Sequence, residues 1–201
     1  MRLYHHYSLY GFSNSYLVGN DETMEALIVD PAEMDVSLLG QIEKNGYSLR
    51  SVLVTHNHPH HVRGLKTLLK IYDAAVFAGN AQVLGYPCRP VRDGESFRTC
   101  GLTIDAFSVP GHSPDSIVYR IDRLLFTGDA LHAGLIGRTL SAYNATTLVD
   151  RLRDRILGQA DECLVLPGHG PPSTLGTERR FNVGLEPGYS ERIQSRYDLF
   201  V

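Results

Sequence analysis

A chain of 201 residues, 43% hydrophobic and 20% charged, carries enough apolar material for a sizeable buried core. Its net charge of −3 offers no basic footprint for nucleic acid and no polybasic patch for a membrane surface. The three cysteines, Cys88, Cys100 and Cys163, are odd in number, far apart and outside any Cys-x-x-Cys pair, which argues against a disulfide framework.

The run Met1-Arg2-Leu3-Tyr4-His5-His6-Tyr7 lacks the apolar stretch of a signal peptide, and no segment approaches a membrane-spanning length, so the chain reads as soluble and cytoplasmic. One domain over 1–201 is expected; the oligomeric state is left open. His5 and His6 read as surface residues. Residues 15–18 and 26–29 form a predicted hairpin through the polar turn Gly19-Asn20-Asp21-Glu22, and Asp30-Pro31 ends its second strand. Val36, Leu38, Leu39 and Ile42 then give a helical apolar stripe that stops near Asn45-Gly46.

A short β-branched run over 51–54 predicts a buried strand, and Val62, Leu65, Leu68 and Leu69 are spaced as one face of a helix. Between them, Thr55-His56-Asn57-His58-Pro59-His60-His61 holds four of the nine histidines. Clustering of this kind points to a metal site. In an extended stretch, side chains two apart point the same way, so His56 and His58 can present nitrogens to one ion about 2.0–2.1 Å away. His60 and His61 diverge as the chain turns into the helix and can reach a second ion, with Pro59 stiffening the turn.

Residues 74–77 read as the next strand, and 78–92 as a surface connection broken by Gly79, Gly85, Pro87 and Pro90. Strand material at 102–104 and 107–109 ends at Pro110-Gly111-His112, and further strands follow at 117–121 and 124–126. The last of these ends in Thr127-Gly128-Asp129, where a tight glycine turn leaves a carboxylate able to bridge two cations. Leu148, Leu152 and Ile156 mark a helix, and the strand at 163–166 runs into Pro167-Gly168-His169-Gly170. A histidine past a strand and a Pro-Gly turn thus appears once in each half, which suggests two related halves. Sheets packed on each other with helices outside, an αββα sandwich with its site along one edge, follow from this pattern.

These motifs, in this order across roughly residues 15 to 182, resemble the metallo-β-lactamase superfamily, whose signature after a strand is His-x-His-x-Asp-His; His60 stands where that family has aspartate. The resemblance implies the same sandwich and a binuclear centre. His56, His58 and His112 would hold the first metal, Asp129 would bridge, and His61 and His169 would hold the second together with His60. It also suggests a place near the metals for Asp30. Gly128 to Arg138 and Leu166 to Pro171, extended by Ser173-Thr174 and Glu178-Arg179, look like the glyoxalase II branch, the hydroxyacylglutathione hydrolases. That branch carries a C-terminal helical domain that binds glutathione, whereas the residues after the last motif, through Arg192 and Arg196, suffice for one helix. Arg138 lies where the branch has a basic residue that contacts substrate, and Leu140 departs from an aromatic found nearby, with Tyr143 as a substitute. His132 has a contact to substrate or to a ligand as one reading and a packed or exposed residue as the other.

Two divalent ions, zinc by preference with iron or manganese as alternatives, would lower the pKa of bound water to about 7 and supply a metal-bound hydroxide as nucleophile. Asp129, His60 and Arg138 are the expected catalytic residues, and the expected reaction is hydrolysis of a small-molecule thioester or related ester. Replacing a carboxylate by the neutral imidazole of His60 would make the second site richer in nitrogen and less suited to hard cations. Asp115 reads as a turn residue, with a replacement carboxylate as its alternative. Two other functions are kept: a mononuclear iron oxygenase resembling persulfide dioxygenase, on His56, His112 and Asp129, and a non-catalytic, metal-poor binding module.

Overall fold

The computed structural model describes residues 1–189. The first half of the chain builds one six-stranded sheet from β1 (Arg2–Ser8), β2 (Ser13–Asn20), β3 (Glu25–Val29), β4 (Ser48–Leu53), β5 (Ala75–Ala78) and, after the small hairpin β6 (Gln82–Val83) and β7 (Tyr86–Pro87), β8 (Arg89–Pro90). The second half builds another from β9 (Ser96–Thr99), β10 (Leu102–Ser108), β11 (Ile117–Ile121), β12 (Leu124–Gly128) and, after the hairpin β13 (Leu131–His132) and β14 (Leu135–Ile136), β15 (Leu164–Pro167) and β16 (Ser173–Thr174). Helices α1 (Val36–Lys44), α2 (Pro59–Val62) and α3 (Leu65–Ile71) belong to the first half, and α4 (Ala142–Arg155) and α5 (Leu175–Phe181) to the second. The tail beyond Tyr189, including the predicted single helix, lies outside the described residues.

Three apolar clusters make the layering visible. Alternate residues of a strand face opposite sides of its sheet, so Tyr16, Val18, Leu27, Val29 and Leu53 point between the sheets while Leu17, Ala26, Ile28 and Val52 point outward against Leu38, Ile42, Leu65 and Leu68 of α1 and α3. The second sheet divides the same way. Ile117, Tyr119, Leu124 and Phe126 face the inter-sheet core, and Val118, Leu125 and Val165 face Leu148 and Leu152 of α4. Helix, sheet, sheet, helix is the αββα arrangement expected from sequence. Because both faces of each sheet are covered, β2 and β12 are buried at every position and show no polar alternation.

Phe126 illustrates how strongly the inter-sheet layer is fixed: it is fully buried, with its ring edge-on to Tyr16 at 5.6 Å between centroids. Phe126→Ala is expected to cost about 3–5 kcal/mol, since truncating a buried aromatic leaves a cavity as well as losing its transfer energy. Urea unfolding of the variant against the parent checks this.

Several local expectations are corrected. The strand β1 was not predicted; it pairs with β2 from Arg2↔Gly19 to Ser8↔Ser13, and it buries His6, whose Nε2 lies 3.0 Å from Asp35 Oδ1, so only His5 of that pair is a surface residue. The hairpin turn falls at residues 21–24, since Gly19 and Asn20 still pair with Ala26 and Glu25. The helix after the histidines is two helices, broken where Gly64 passes Pro31: a Cβ there would lie 2.6 Å from the Pro31 carbonyl oxygen. The two stretches predicted around residue 105 are one strand, β10.

The topology brings the strand ends together. Strands β3, β4 and β5 are mutually parallel, as are β12 and β15, and β10 runs with β12 because each is antiparallel to β11. The sheets are tied at this edge by Ile117 N donating to Thr55 O at 2.8 Å and Asn14 N to Gly168 O at 2.7 Å. Among the described residues no helix is long and apolar enough to cross a membrane.

Candidate metal centre

His56, His58, His112 and His169 each follow a strand that ends at this edge, His61 lies in α2, and His132 closes β13. β4 delivers His56 and His58, β10 delivers His112 through Pro110-Gly111, β12 delivers Asp129, and β15 delivers His169 through Pro167-Gly168. Three groups result whose ligand atoms lie within 4.8 Å of one another: His56, His58 and His112; His56, His61 and Asp129; Asp129, His132 and His169. These are donor sets able to hold a metal ion, and Asp129 belongs to two of them.

The two oxygens of Asp129 face different partners. Oδ2 lies 3.4 Å from His61 Nε2, 3.6 Å from His112 Nε2 and 4.0 Å from His56 Nε2. Oδ1 lies 2.7 Å from His169 Nδ1 and 3.3 Å from His132 Nε2. Burial would raise the pKa of this carboxylate, but His132, His169 and His61 hold it far below the ordinary range. It is therefore an anion at the centre of a ring of imidazoles.

The first nitrogen group has the chemistry of a cation site. His58 Nδ1 is 3.0 Å from His56 Nε2 and 3.1 Å from His112 Nε2. His112 Nδ1–H donates to the Arg138 carbonyl at 2.7 Å, so its Nε2 carries a lone pair. His56 is set the same way: Thr55 Oγ1 gives its proton to Asp30 Oδ2 at 2.6 Å and accepts from His56 Nδ1 at 3.1 Å. His58 Nδ1 has at most one proton to share between two lone pairs, so at least one of these contacts is repulsive unless a cation lies among them. Ligands about 2.0–2.1 Å from a tetrahedral ion are roughly 3.3 Å apart, close to the observed spacing. Burial, together with the neighbouring His61, lowers the pKa of His56 to about 2, which keeps it neutral and able to ligate.

Asp30 supports this centre from behind. It is buried, it accepts from Thr55 N at 2.7 Å as well as from Thr55 Oγ1, and its Oδ2 lies 2.9 Å from His61 Nδ1. Burial would lower the pKa of His61, but the carboxylates of Asp30 and Asp129 override it and raise it to about 10. With Nδ1 committed to Asp30, the buried His61 Nε2, which makes no hydrogen bond, is the atom left to face Asp129. Asp30 has φ of 51°, a left-handed conformation that Asp tolerates better than most residues and that turns its carboxylate inward. Close packing finishes the cradle: a Cβ at Gly168 would lie 2.3 Å from His61 Cε1 and 2.9 Å from Asp129 Oδ1.

Of the residues read from sequence, His56, His58, His61, His112, Asp129 and His169 are brought together. His60 is exposed and outside all three groups; its ring packs on Tyr10 at 5.5 Å and lies 5.9 Å from that of His169. Arg138 is exposed and reaches the site through its backbone carbonyl. Asp115 is a loop pin, accepting from Asn57 N at 3.0 Å and from Ser113 Oγ. The sequence reading gave no role to Thr55, or to Asn14, whose Nδ2 donates to the carbonyls of Pro167 and Gly170 and fixes the turn carrying His169. Asn14 stands between Ser13 and Ser15, ahead of the apolar residues of β2, and no signal in the sequence marks it.

The sequence matches the metallo-beta-lactamase superfamily profile over residues 10–86 and 104–169. Among relatives, hydroxyacylglutathione hydrolase GloC of Haemophilus influenzae is 30% identical over 193 residues, covering 84% of this chain and 91% of that protein. Among solved structures, ETHE1 from Myxococcus xanthus superposes with a TM-score of 0.87 at 28% identity, over 100% of this chain and 92% of the other. A protein crystallised in a di-iron-bound form, TTHA1623, superposes with a TM-score of 0.76 at 26% identity, over 90% and 98%.

Proposed function

Because the chain belongs to the metallo-β-lactamase superfamily, we propose that it is a metal-dependent hydrolase of a small thioester or related ester. The observation that carries this reading is the place of Asp129 among five imidazoles, with His56, His61 and His112 at Oδ2 and His132 and His169 at Oδ1. In it, His56, His58 and His112 would hold one divalent ion and His61 and His169 another, with Asp129 between them. Nitrogen-rich donor sets suit zinc or iron better than hard cations such as manganese. Ions bound there would act as Lewis acids that lower the pKa of a water to about 7 and polarise the carbonyl under attack.

The residues of the chain have their own tasks in this reaction. Asp129 stays ionised and keeps the two nitrogen groups at a fixed separation. Thr55 and the Arg138 carbonyl hold the inward-facing nitrogens of His56 and His112 free of protons, and Asp30 takes the Nδ1 proton of His61, so that Nε2 is the atom from which a bound cation would displace a proton. The Arg138 guanidinium is assigned to an acidic group of the substrate. No cysteine is the nucleophile: burial raises the thiols of Cys88 and Cys100, and all three cysteines stand outside the three metal-ligating groups. The likeness to GloC, a hydroxyacylglutathione hydrolase by name, supports the thioester class and a hydroxyacylglutathione as the first substrate to try.

A second reading is an iron oxygenase acting on a persulfide, favoured by the presence of two histidines and one carboxylate in His56, His112 and Asp129, 3.6 and 4.0 Å apart at Oδ2. One experiment separates the readings. Purified protein, stripped with chelator and reloaded with zinc or ferrous iron, is assayed for thioester hydrolysis and for oxygen uptake with glutathione persulfide. The hydrolase reading expects thioester turnover that is lost on stripping and restored by zinc. Oxygen uptake with iron and no hydrolysis under any loading would replace it by the oxygenase.

A further inference from the structure

We propose that His132 completes the second metal site, in the position that the histidine loop suggests for His60; this rests on the metal-dependent reading of the same centre. His132 closes β13, and its Nε2 lies 3.3 Å from Asp129 Oδ1, the oxygen that also faces His169 Nδ1 at 2.7 Å. That Nε2 is buried and makes no hydrogen bond. A buried nitrogen left unshared at the edge of a carboxylate is a costly arrangement that a shared cation resolves.

The backbone around His132 is built to hold it there. Asn182 Nδ2 lies within hydrogen-bond reach of the carbonyls of His132, at 3.2 Å, and of Leu135, at 2.9 Å, and shares its two hydrogens among these and Glu178, so both strands of the β13–β14 hairpin meet at one amide. Glu178 Oε2 accepts from that same amide at 2.6 Å and from Gly134 N in the hairpin turn at 2.9 Å. Glu178 and Asn182 are both buried. A clamp of this rigidity around a two-residue hairpin fits a ligand-bearing loop whose ring must stay within a fraction of an ångström of its partner.

His60 has none of these features. It is exposed, on the outer side of α2, and its ring rests on Tyr10 and over Gly11, where a Cβ would lie 2.4 Å from His60 Cγ. With His132 in the set, each position would have three imidazoles, His56, His58 and His112 for one and His61, His132 and His169 for the other, with Asp129 between them and its Oδ2 facing His61 as well as His56 and His112. Asp129 would then be the one carboxylate among the ligands of both positions, which favours zinc or iron over manganese.

The test compares His132→Ala, His132→Gln and His60→Ala with the parent, each loaded with zinc, desalted and measured for zinc per chain by mass spectrometry. Cobalt(II)-substituted samples are read by visible absorption, and far-UV circular dichroism checks that each variant is folded. The expected result is two ions in the parent and in His60→Ala, one in both His132 variants, and a cobalt spectrum with only the first-site bands in those two. Two ions retained by the His132 variants, or a loss in His60→Ala, would overturn the assignment while leaving the metal-dependent reading intact. A parent that binds no ion would overturn both.

Discussion

Asp129→Ala is expected to empty both ion positions and to reduce thioester hydrolysis by more than about 100-fold, the upper end for removing a mere outer partner of a metal ligand. A 100-fold loss corresponds to about 2.7 kcal/mol of transition-state stabilisation. The reason for so large an effect lies in the geometry: five histidine nitrogens approach its two oxygens between 2.7 and 4.0 Å, and no other carboxylate reaches both sets among the described residues. Without it, imidazoles that now surround an anion would surround only one another. Zinc content and initial rates of the purified variant check this; two ions and unchanged turnover would show that Asp129 bridges nothing.

The second large effect belongs to a residue that touches no ion. Asp30→Asn keeps the size and the tolerance of left-handed backbone that φ of 51° requires, so the substitution changes the polar chemistry alone. Its new amide faces His61 Nδ1 or Thr55, both of which now donate to a carboxylate oxygen. An amide donating to Nδ1 would move the ring proton of His61 to Nε2, the atom that faces Asp129, and a protonated Nε2 cannot ligate. The expected result is a loss of metal affinity of about 10–100-fold. Each buried donor left unpaired should also cost about 1–3 kcal/mol of stability. Zinc titration and urea unfolding with and without zinc measure the two parts. Unchanged affinity would mean that the orientation of His61 is fixed by packing, such as its contact with Gly168, rather than by Asp30.

Much of this centre could be read from the chain because its parts are local. A strand followed by His-x-His needs only the two-residue alternation of extended backbone, and Pro-Gly-His after an apolar run carries its own turn signal, so His56, His58, His112, Asp129 and His169 are legible as candidate ligands in the chain itself. What escaped was set by distant packing. β1 reads as a polar, histidine-rich terminus because, as an edge strand, its outward residues are solvated; only pairing with β2 and the contact with Asp35 bury His6. His60 and His61 are adjacent in sequence but about 100° apart around a helix, and α2 begins at Pro59, so the turn that points His61 inward points His60 out. His132 sits behind Asp129 in a two-residue strand with no periodicity to read, and its approach depends on Asn182 and Glu178 some 50 residues later.

The central claim is that one carboxylate and a ring of imidazoles hold two divalent ions. Metal identity and stoichiometry per chain, measured by inductively coupled plasma mass spectrometry on protein purified without added metal or a histidine tag, test it most directly. The account predicts two ions per chain, predominantly zinc. A single iron per chain would transfer the site to the oxygenase reading, and no ion even after reconstitution would contradict the account outright.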